Sequence, residues 1–440
     1  VSNEHNHAPT NGHPTNGVPG HTETPGDEPN WLKIRSLALL VAAIGFGLFA
    51  FIGLLRGALV ETGGIRQFFA SYLVGYVTWL CMPIGSVVLL LIQYLTGGRW
   101  GYLLRRIFEA NTRSLFVMVL LFAPVVIGLL WSGSSPYWWA NPLPEVVKNE
   151  AGEPLDSGQA DMVHEMEHKV NDYLNVPFAL VRAGIYFGIW GVFVFFLNRW
   201  SAEGTKLQND SSLWKCTGLA GPGIMIHALL VTVIATDLVI SLEPGWASTM
   251  FPVIFGETQI LCAYSFSLAV LLLMIQGPLK GQVTKLDQIN LGSFMLALTL
   301  FWTYISFSQF MLVWVANLPE EIPFYLKRMG GGWEYIMIAL FALHFVLPFM
   351  LLLYRDVKTN SKALFWIACG LVAVCAFDAF VWIEPTFLRD GQPLYWLMDI
   401  GAVAGVGGLY VFYFIGQYKD RYQTPTYEAH LHYQEHAHHG

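Results

Sequence analysis

From residue 31 onward the chain alternates long apolar runs with polar connections, and about 20 apolar residues are what a helix needs to cross a bilayer core. Ten such runs lie near 34–56, 70–95, 114–131, 178–197, 219–241, 251–276, 289–316, 333–354, 363–383 and 394–416. Each is predicted to be helical, because lipid offers no other partner to the backbone N–H and C=O groups. The fold class is therefore all-α: a polytopic membrane protein of ten transmembrane helices over residues 31–416. Residues 1–30, rich in Asn, His, Pro, Gly and Thr, have no apolar periodicity and read as a disordered tail. They also lack the short apolar core and cleavage site of a signal peptide. Residues 417–440 form a second, His-rich tail.

Composition agrees with this pattern and excludes other classes. Of 440 residues, 54% are hydrophobic and 12% are charged, against about 25% charged in a soluble globular protein. A soluble enzyme is excluded on that ground. A net charge of -7 without any dense Lys/Arg run leaves no footprint for nucleic acid. Cys81, Cys216, Cys262, Cys369 and Cys375 sit mostly in apolar stretches without a C-x-x-C pair, so no zinc knuckle, iron–sulfur site or disulfide framework is suggested.

Orientation follows from where the cations fall. With the N-terminus in the cytoplasm, 16 of the 24 Lys and Arg residues lie inside, among them Lys33, Arg99, Arg105, Arg113, Lys285 and Lys358. This bias favours both termini inside. The loop 132–177 then lies outside, carries eight acids against Lys148 and Lys169, and is the one outer connection long enough to form a docking surface.

The fifth run ends TDLVISLEP and the ninth FDAFVWIEP, so an Asp precedes Glu-Pro by six residues twice: Asp237 with Glu243, and Asp378 with Glu384. Four runs separate the two motifs, which suggests two parallel four-helix bundles, spans 2–5 and 6–9, with spans 1 and 10 peripheral. Proline ends each helix. Six residues move the chain about 9 Å along the helix and turn it by about 240°, so the Asp and Glu of one motif face different sides. Arg182, His227, Glu257, His344 and Asp399 also fall within spans. Ionisable groups in lipid usually face a bundle interior or a wet path. With Asp237, Asp378, Glu243 and Glu384 they suggest a proton relay across the membrane, with His as its natural middle member. Glu243, Glu384 and Asp399 lie near the interface, where simple hydration is the plainer account.

Two motifs point elsewhere. His164-Glu165-Met166-Glu167-His168 matches H-E-x-x-H, the zinc-binding pattern of metalloproteases. It sits in an acidic loop with no evident third ligand, and its plain reading is a solvated amphipathic turn. Bis-His haem ligation needs two imidazoles at matched depth, and His227 and His344 sit at different depths.

The segment FWTYISFSQFMLVWVANLPEEIPFYLKRMGGGW, Phe301 to Trp333, closely resembles the seventh span and following loop of ActF-type subunits of bacterial alternative complex III, a quinol:cytochrome c or high-potential iron–sulfur protein oxidoreductase. KVNDYLNVPFALVR (Lys169 to Arg182), SLEPGWASTMFP (Ser241 to Pro252) and HFVLPFMLLLYRDVK (His344 to Lys358) match as well. The resemblance implies an integral subunit of the polysulfide-reductase, NrfD-like superfamily that binds no cofactor itself and resides in the bacterial inner membrane. It implies as partners an ActC-type NrfD-like subunit, an iron–sulfur subunit, and multihaem and monohaem cytochromes c, with a terminal oxidase as a further associate. Haem c and iron–sulfur clusters would belong to those partners, quinol oxidation chiefly to the ActC-type paralogue, and proton translocation to this chain. Two other readings stay open: a structural scaffold, or a secondary quinone site at Trp302, Tyr304, Phe307 and Gln309, where an aromatic wall and a donor suit a quinone ring.

Overall fold

The computed structural model describes residues 30–59, 64–131, 133–141, 157–207, 210–244, 246–318, 321–387 and 393–419. Residues 1–29 and 420–440 of the tails, and four of the eight acids of the 132–177 loop (Glu145, Glu150, Glu153 and Asp156), lie outside these residues. Among those described there is no strand, and ten helices are long and apolar enough to cross a membrane. They are span 1 (Trp31–Leu55), span 2 (Gly64–Thr96), span 3 (Arg99–Leu130), span 4 (Val176–Gly204), span 5 (Ser211–Leu242), span 6 (Phe251–Met274), span 7 (Lys285–Ala316), span 8 (Trp333–Leu353), span 9 (Ser361–Thr386) and span 10 (Tyr395–Tyr418).

The expected count holds, and the largest boundary difference is at span 3. Its helix begins at Arg99 rather than near 114, because its first 15 residues are amphipathic and carry Arg99, Arg105, Arg106 and Arg113. A hydropathy window passes over such a stretch. Span 3 is then broken at Ser114, whose hydroxyl bonds back to the Ala110 carbonyl, and again before Pro124, which lacks a backbone donor. Elsewhere local chemistry sets the ends. Thr284 and Asp287 form a reciprocal capping box on span 7, Asn317 closes it in the left-handed conformation, and Asn360 caps span 9 through two backbone N–H groups.

Spans 2 and 6 are the most buried and pack against each other at the centre. Around span 2 lie spans 3, 5 and 10, and around span 6 lie spans 7 and 9. The central pair is drawn together at Gly85, where a Cβ would sit 2.0 Å from the Gln259 carbonyl oxygen. Spans 1 and 10 meet along a small-residue seam in which a Cβ on Gly45 would lie 2.4 Å from the Gly405 nitrogen. Backbones approach this closely where small residues line the interface, as in membrane helix pairs generally. The outer faces of spans 1, 7 and 8 carry exposed Leu, Phe and Ile, as lipid-facing helices do.

One end of the molecule, reached by Arg99, Lys285 and Lys358, is called here the basic end. The two Asp-x5-Glu-Pro motifs lie toward the other, the far end.

Candidate functional site

Asp378 of span 9 is wholly buried, and its Oδ2 lies 3.0 Å from Nδ1 of His344 on span 8, also wholly buried. The imidazole is held flat by Trp302 of span 7, whose ring centroid is 3.6 Å away at an interplanar angle of 18°. His344 reaches this place through a break in helical register. Residues Ala342–Val346 form a π-turn, in which the Leu347 N–H bonds to the Ala342 carbonyl. Pro348 has no N–H to give the His344 carbonyl, so the α-helical bond that would tighten this turn does not exist. Asp378, Trp302, Phe307, Arg328 and Trp382 line a cavity of about 210 Å³ beside the pair.

The first motif carries a matching but different pair. Asp237 of span 5 accepts from Arg182 of span 4, Nη2 to Oδ1 at 2.8 Å and Nε to Oδ2 at 3.0 Å. The guanidinium also donates to the Tyr173 carbonyl at 2.6 Å and stacks on the Tyr173 ring at 3.8 Å. Burial, reinforced by Asp237, raises the phenols of Tyr137 and Tyr173 outside the spans, so both remain protonated. Both motif aspartates therefore pair with a cation-forming side chain on the preceding span: a permanently charged guanidinium in one, a titratable imidazole in the other.

The glutamates correct the expectation of hydration at an interface. Glu243, Glu384 and Asp399 are all buried. Glu243 accepts from Lys327, accepts from Thr386 Oγ1 at 2.7 Å, and lies 4.0 Å from Arg328. Arg328 is itself buried and donates to the carbonyls of Phe324, Val381 and Trp382. Burial pulls its guanidinium down to about 10 against the opposing pull of Glu243. Glu384 accepts from Gln67 Nε2 of span 2 at 2.7 Å, and the Asp399 carboxyl of span 10 adjoins it. Sequence position gave these groups a depth along the helix axis but not a radial direction, and the radial direction turns them inward.

The nine proposed relay residues do not join into one file. They form four separate groups: Arg182 with Asp237, His344 with Asp378, Glu243 with Lys327 and Arg328, and Glu384 with Asp399. His227 stands apart, its Nδ1 accepting from Trp190 Nε1 at 3.3 Å. Glu257 is buried on span 6, and among the described residues its Oε1 has no hydrogen-bond partner. The four aromatic and amide residues proposed for a quinone also separate. Trp302 and Phe307 line the cavity beside Asp378, whereas Tyr304 is 69% exposed on the outer face and Gln309 lies buried away from that cavity.

The H-E-x-x-H stretch lies within a helix, Ser157–Asp172, with His164 and His168 exposed and His164 Nδ1 3.6 Å from Glu167. Gln67, Lys327, Arg328 and Thr386 take part in the buried network and were not singled out in the sequence. Lys327 and Arg328 stand beside a Gly-Gly-Gly loop turn, where a cation reads as solvated. No family profile and no curated protein matches the chain.

Proposed function

We propose that this chain is a cofactor-free, ActF-like membrane subunit of a respiratory quinol oxidoreductase, and that it conducts protons through Asp378 and His344. The observation that carries the reading is a carboxyl with no solvent access, paired to an imidazole on a proline-enforced π-turn. Such a pair sets a proton-accepting and a proton-donating group 3.0 Å apart, and π-turns of this kind recur at functional positions. The Arg182–Asp237 pair is the fixed counterpart, since a guanidinium does not release its proton. In this reading the termini face the cytoplasm of a bacterial cell, the basic end takes protons up, and Glu384 with Asp399 lies on the way out. Partner subunits of the ActC, iron–sulfur and cytochrome c types oxidise quinol and carry the electrons onward.

Purification through a tag on this chain, with intact complex in proteoliposomes, tests both parts. The expected outcome is co-purification of c-type haem, and, for Asp378→Asn, pumped protons per electron falling towards zero while the complex still assembles. Unchanged stoichiometry in assembled Asp378→Asn complex would sink the proton reading, and absence of haem partners would sink the respiratory one.

The cavity beside Asp378 supports a second reading, a quinone ring against Trp302, Phe307 and Trp382 with Arg328 at its edge. Photoreactive quinone crosslinking to Phe307 would favour it. Labelling confined to a partner subunit would remove it.

A further inference from the structure

Apart from the groups around the two motifs, a groove of about 990 Å³ runs along spans 3 and 4, on a side where Phe116 and Phe195 are exposed. Its floor is built on glycine. Gly184, Gly188 and Gly191 of span 4 line it, and a Cβ on any of them would meet no atom within 4 Å. At Gly45 and Gly85 the missing Cβ lets a second backbone approach, whereas the stripe on span 4 leaves that space open. Phe122 of span 3 and Phe187 of span 4, in edge contact with centroids 5.3 Å apart, form part of the wall.

The polar residues of the groove gather at one end. Asn198 and Arg199 of span 4, Tyr413 and Gln417 of span 10, and Arg113 of span 3 lie toward the basic end, and among the described residues no acid lines the groove. The acids paired with these cations are shared. Glu109 lies 3.3 Å from Arg105, 2.8 Å from Arg106 and 3.7 Å from Arg113, and Glu203 lies 2.9 Å from Arg199. Four arginines thus stand against two glutamates, which leaves the mouth cationic.

Asn198 adds a second requirement, and it is only 9% exposed. Its Nδ2 donates to Thr112 Oγ1 at 3.0 Å and to the Val194 carbonyl at 2.8 Å, while Thr112 Oγ1 gives its own hydrogen to the Glu109 carbonyl. Those bonds fix which end of the amide is nitrogen. Oδ1 is then a buried acceptor with no hydrogen-bond partner among the described residues. A buried acceptor without a donor is costly, so the occupant that suits this mouth brings a hydrogen-bond donor together with negative charge.

Gly191 and Gly184 lie about 10 and about 20 Å from Asn198 along the helix, and the hydrocarbon of one leaflet is about 15 Å deep. A cationic mouth above an apolar floor of that length has the layout of a phospholipid in the leaflet at the basic end. We propose that the groove holds an anionic phospholipid with a hydroxylated headgroup, of the phosphatidylglycerol class. Its phosphate faces Arg113 and Arg199, a headgroup hydroxyl donates to Asn198 Oδ1, and an acyl chain lies on the glycine stripe. Arginine binds phosphate oxygens through paired N–H donors, and basic pockets between spans hold anionic headgroups. Phosphatidylethanolamine offers a donor without net negative charge, and phosphatidylcholine offers neither.

The site is independent of the proton reading, and native mass spectrometry of the full chain tests it. The protein, purified in detergent, is titrated with phosphatidylglycerol, phosphatidylethanolamine and phosphatidylcholine in turn. Phosphatidylglycerol should bind severalfold more tightly than the other two. Gly188→Leu, whose side chain the open space accommodates, should weaken that binding severalfold at unchanged melting temperature. Gly47→Leu, on an exposed face of span 1 where a Cβ also meets nothing within 4 Å, should leave it unchanged. Arg199 is 59% exposed, and Arg199→Gln should keep the fold while bringing phosphatidylglycerol down to the level of phosphatidylethanolamine. Equal binding of all three lipids by the wild type would overturn the proposal whatever the variants do, as would undiminished phosphatidylglycerol binding by folded Gly188→Leu. If Gly188→Leu instead strips co-purifying proteins from the tagged chain and leaves lipid binding intact, the groove seats a partner's helix and the lipid proposal fails.

Discussion

Arg182 spends its donors on Asp237 and on the Tyr173 carbonyl, and both charges are buried within a helix pair. Removing one partner of a buried ion pair leaves an uncompensated charge and costs about 3–5 kcal/mol, whereas removing both together is often close to neutral. Arg182→Met should therefore destabilise the protein strongly in detergent, and Arg182→Met with Asp237→Leu should recover much of that loss. Thermal unfolding of the single and double variants measures the difference; additive losses would show that the pairing contributes nothing. The two residues were visible in the sequence as intramembrane charges, but not as a pair, since 55 positions separate them. The same limit applies to Glu384 and Asp399. A hydropathy profile locates a carboxylate along its helix, and only the packing decides whether that helix turns it to water or to a neighbour.

At the level of helices, the ten spans were legible because the apolar runs are long and the connections polar. What escaped was anything set by register or by amphipathic surface. The first turns of span 3 carry too many arginines for a hydropathy window, and the π-turn of span 8 leaves no compositional trace except Pro348. That proline gives a sharp prediction. Pro348→Ala supplies an N–H to the His344 carbonyl and lets the turn close as α-helix. Removing one residue's worth of register turns the preceding segment by about 100°, which carries the imidazole off Asp378 and off Trp302. The variant should assemble with equal or greater thermal stability and yet pump fewer protons per electron. Wild-type stoichiometry in Pro348→Ala would mean that the π-turn has no part in placing His344.

Across the whole molecule the glutamates that end the two motifs tie distant parts of the chain together. Glu243, at the end of span 5, is bound by Lys327, between spans 7 and 8, and by Thr386 at the end of span 9; Glu384, on span 9, is bound by Gln67 of span 2. The motif repeat was readable in sequence, but these bonds were not, because none of the receiving residues belongs to a motif. Lys327 is about a third exposed and Arg328 nearly fully buried, so the energy of the contact rests on Glu243 and its buried neighbours more than on the lysine. A hydrogen bond to a charged group contributes about 1.5–3 kcal/mol. Glu243→Ala should thus lower stability by roughly 2 kcal/mol or more, and Lys327→Ala by less. The protein carries its own reporter for this measurement: Cys81, Cys262 and Cys375 are buried thiols outside any disulfide, so a thiol-reactive dye labels them only as the bundle opens. Glu243→Ala should shift the labelling transition to lower temperature, Thr386→Val should shift it less, and the double variant should fall short of their sum, as coupled neighbours do. Additive shifts would show that Glu243 and Thr386 act independently, and that the bond between spans 5 and 9 is not what holds this end of the protein closed.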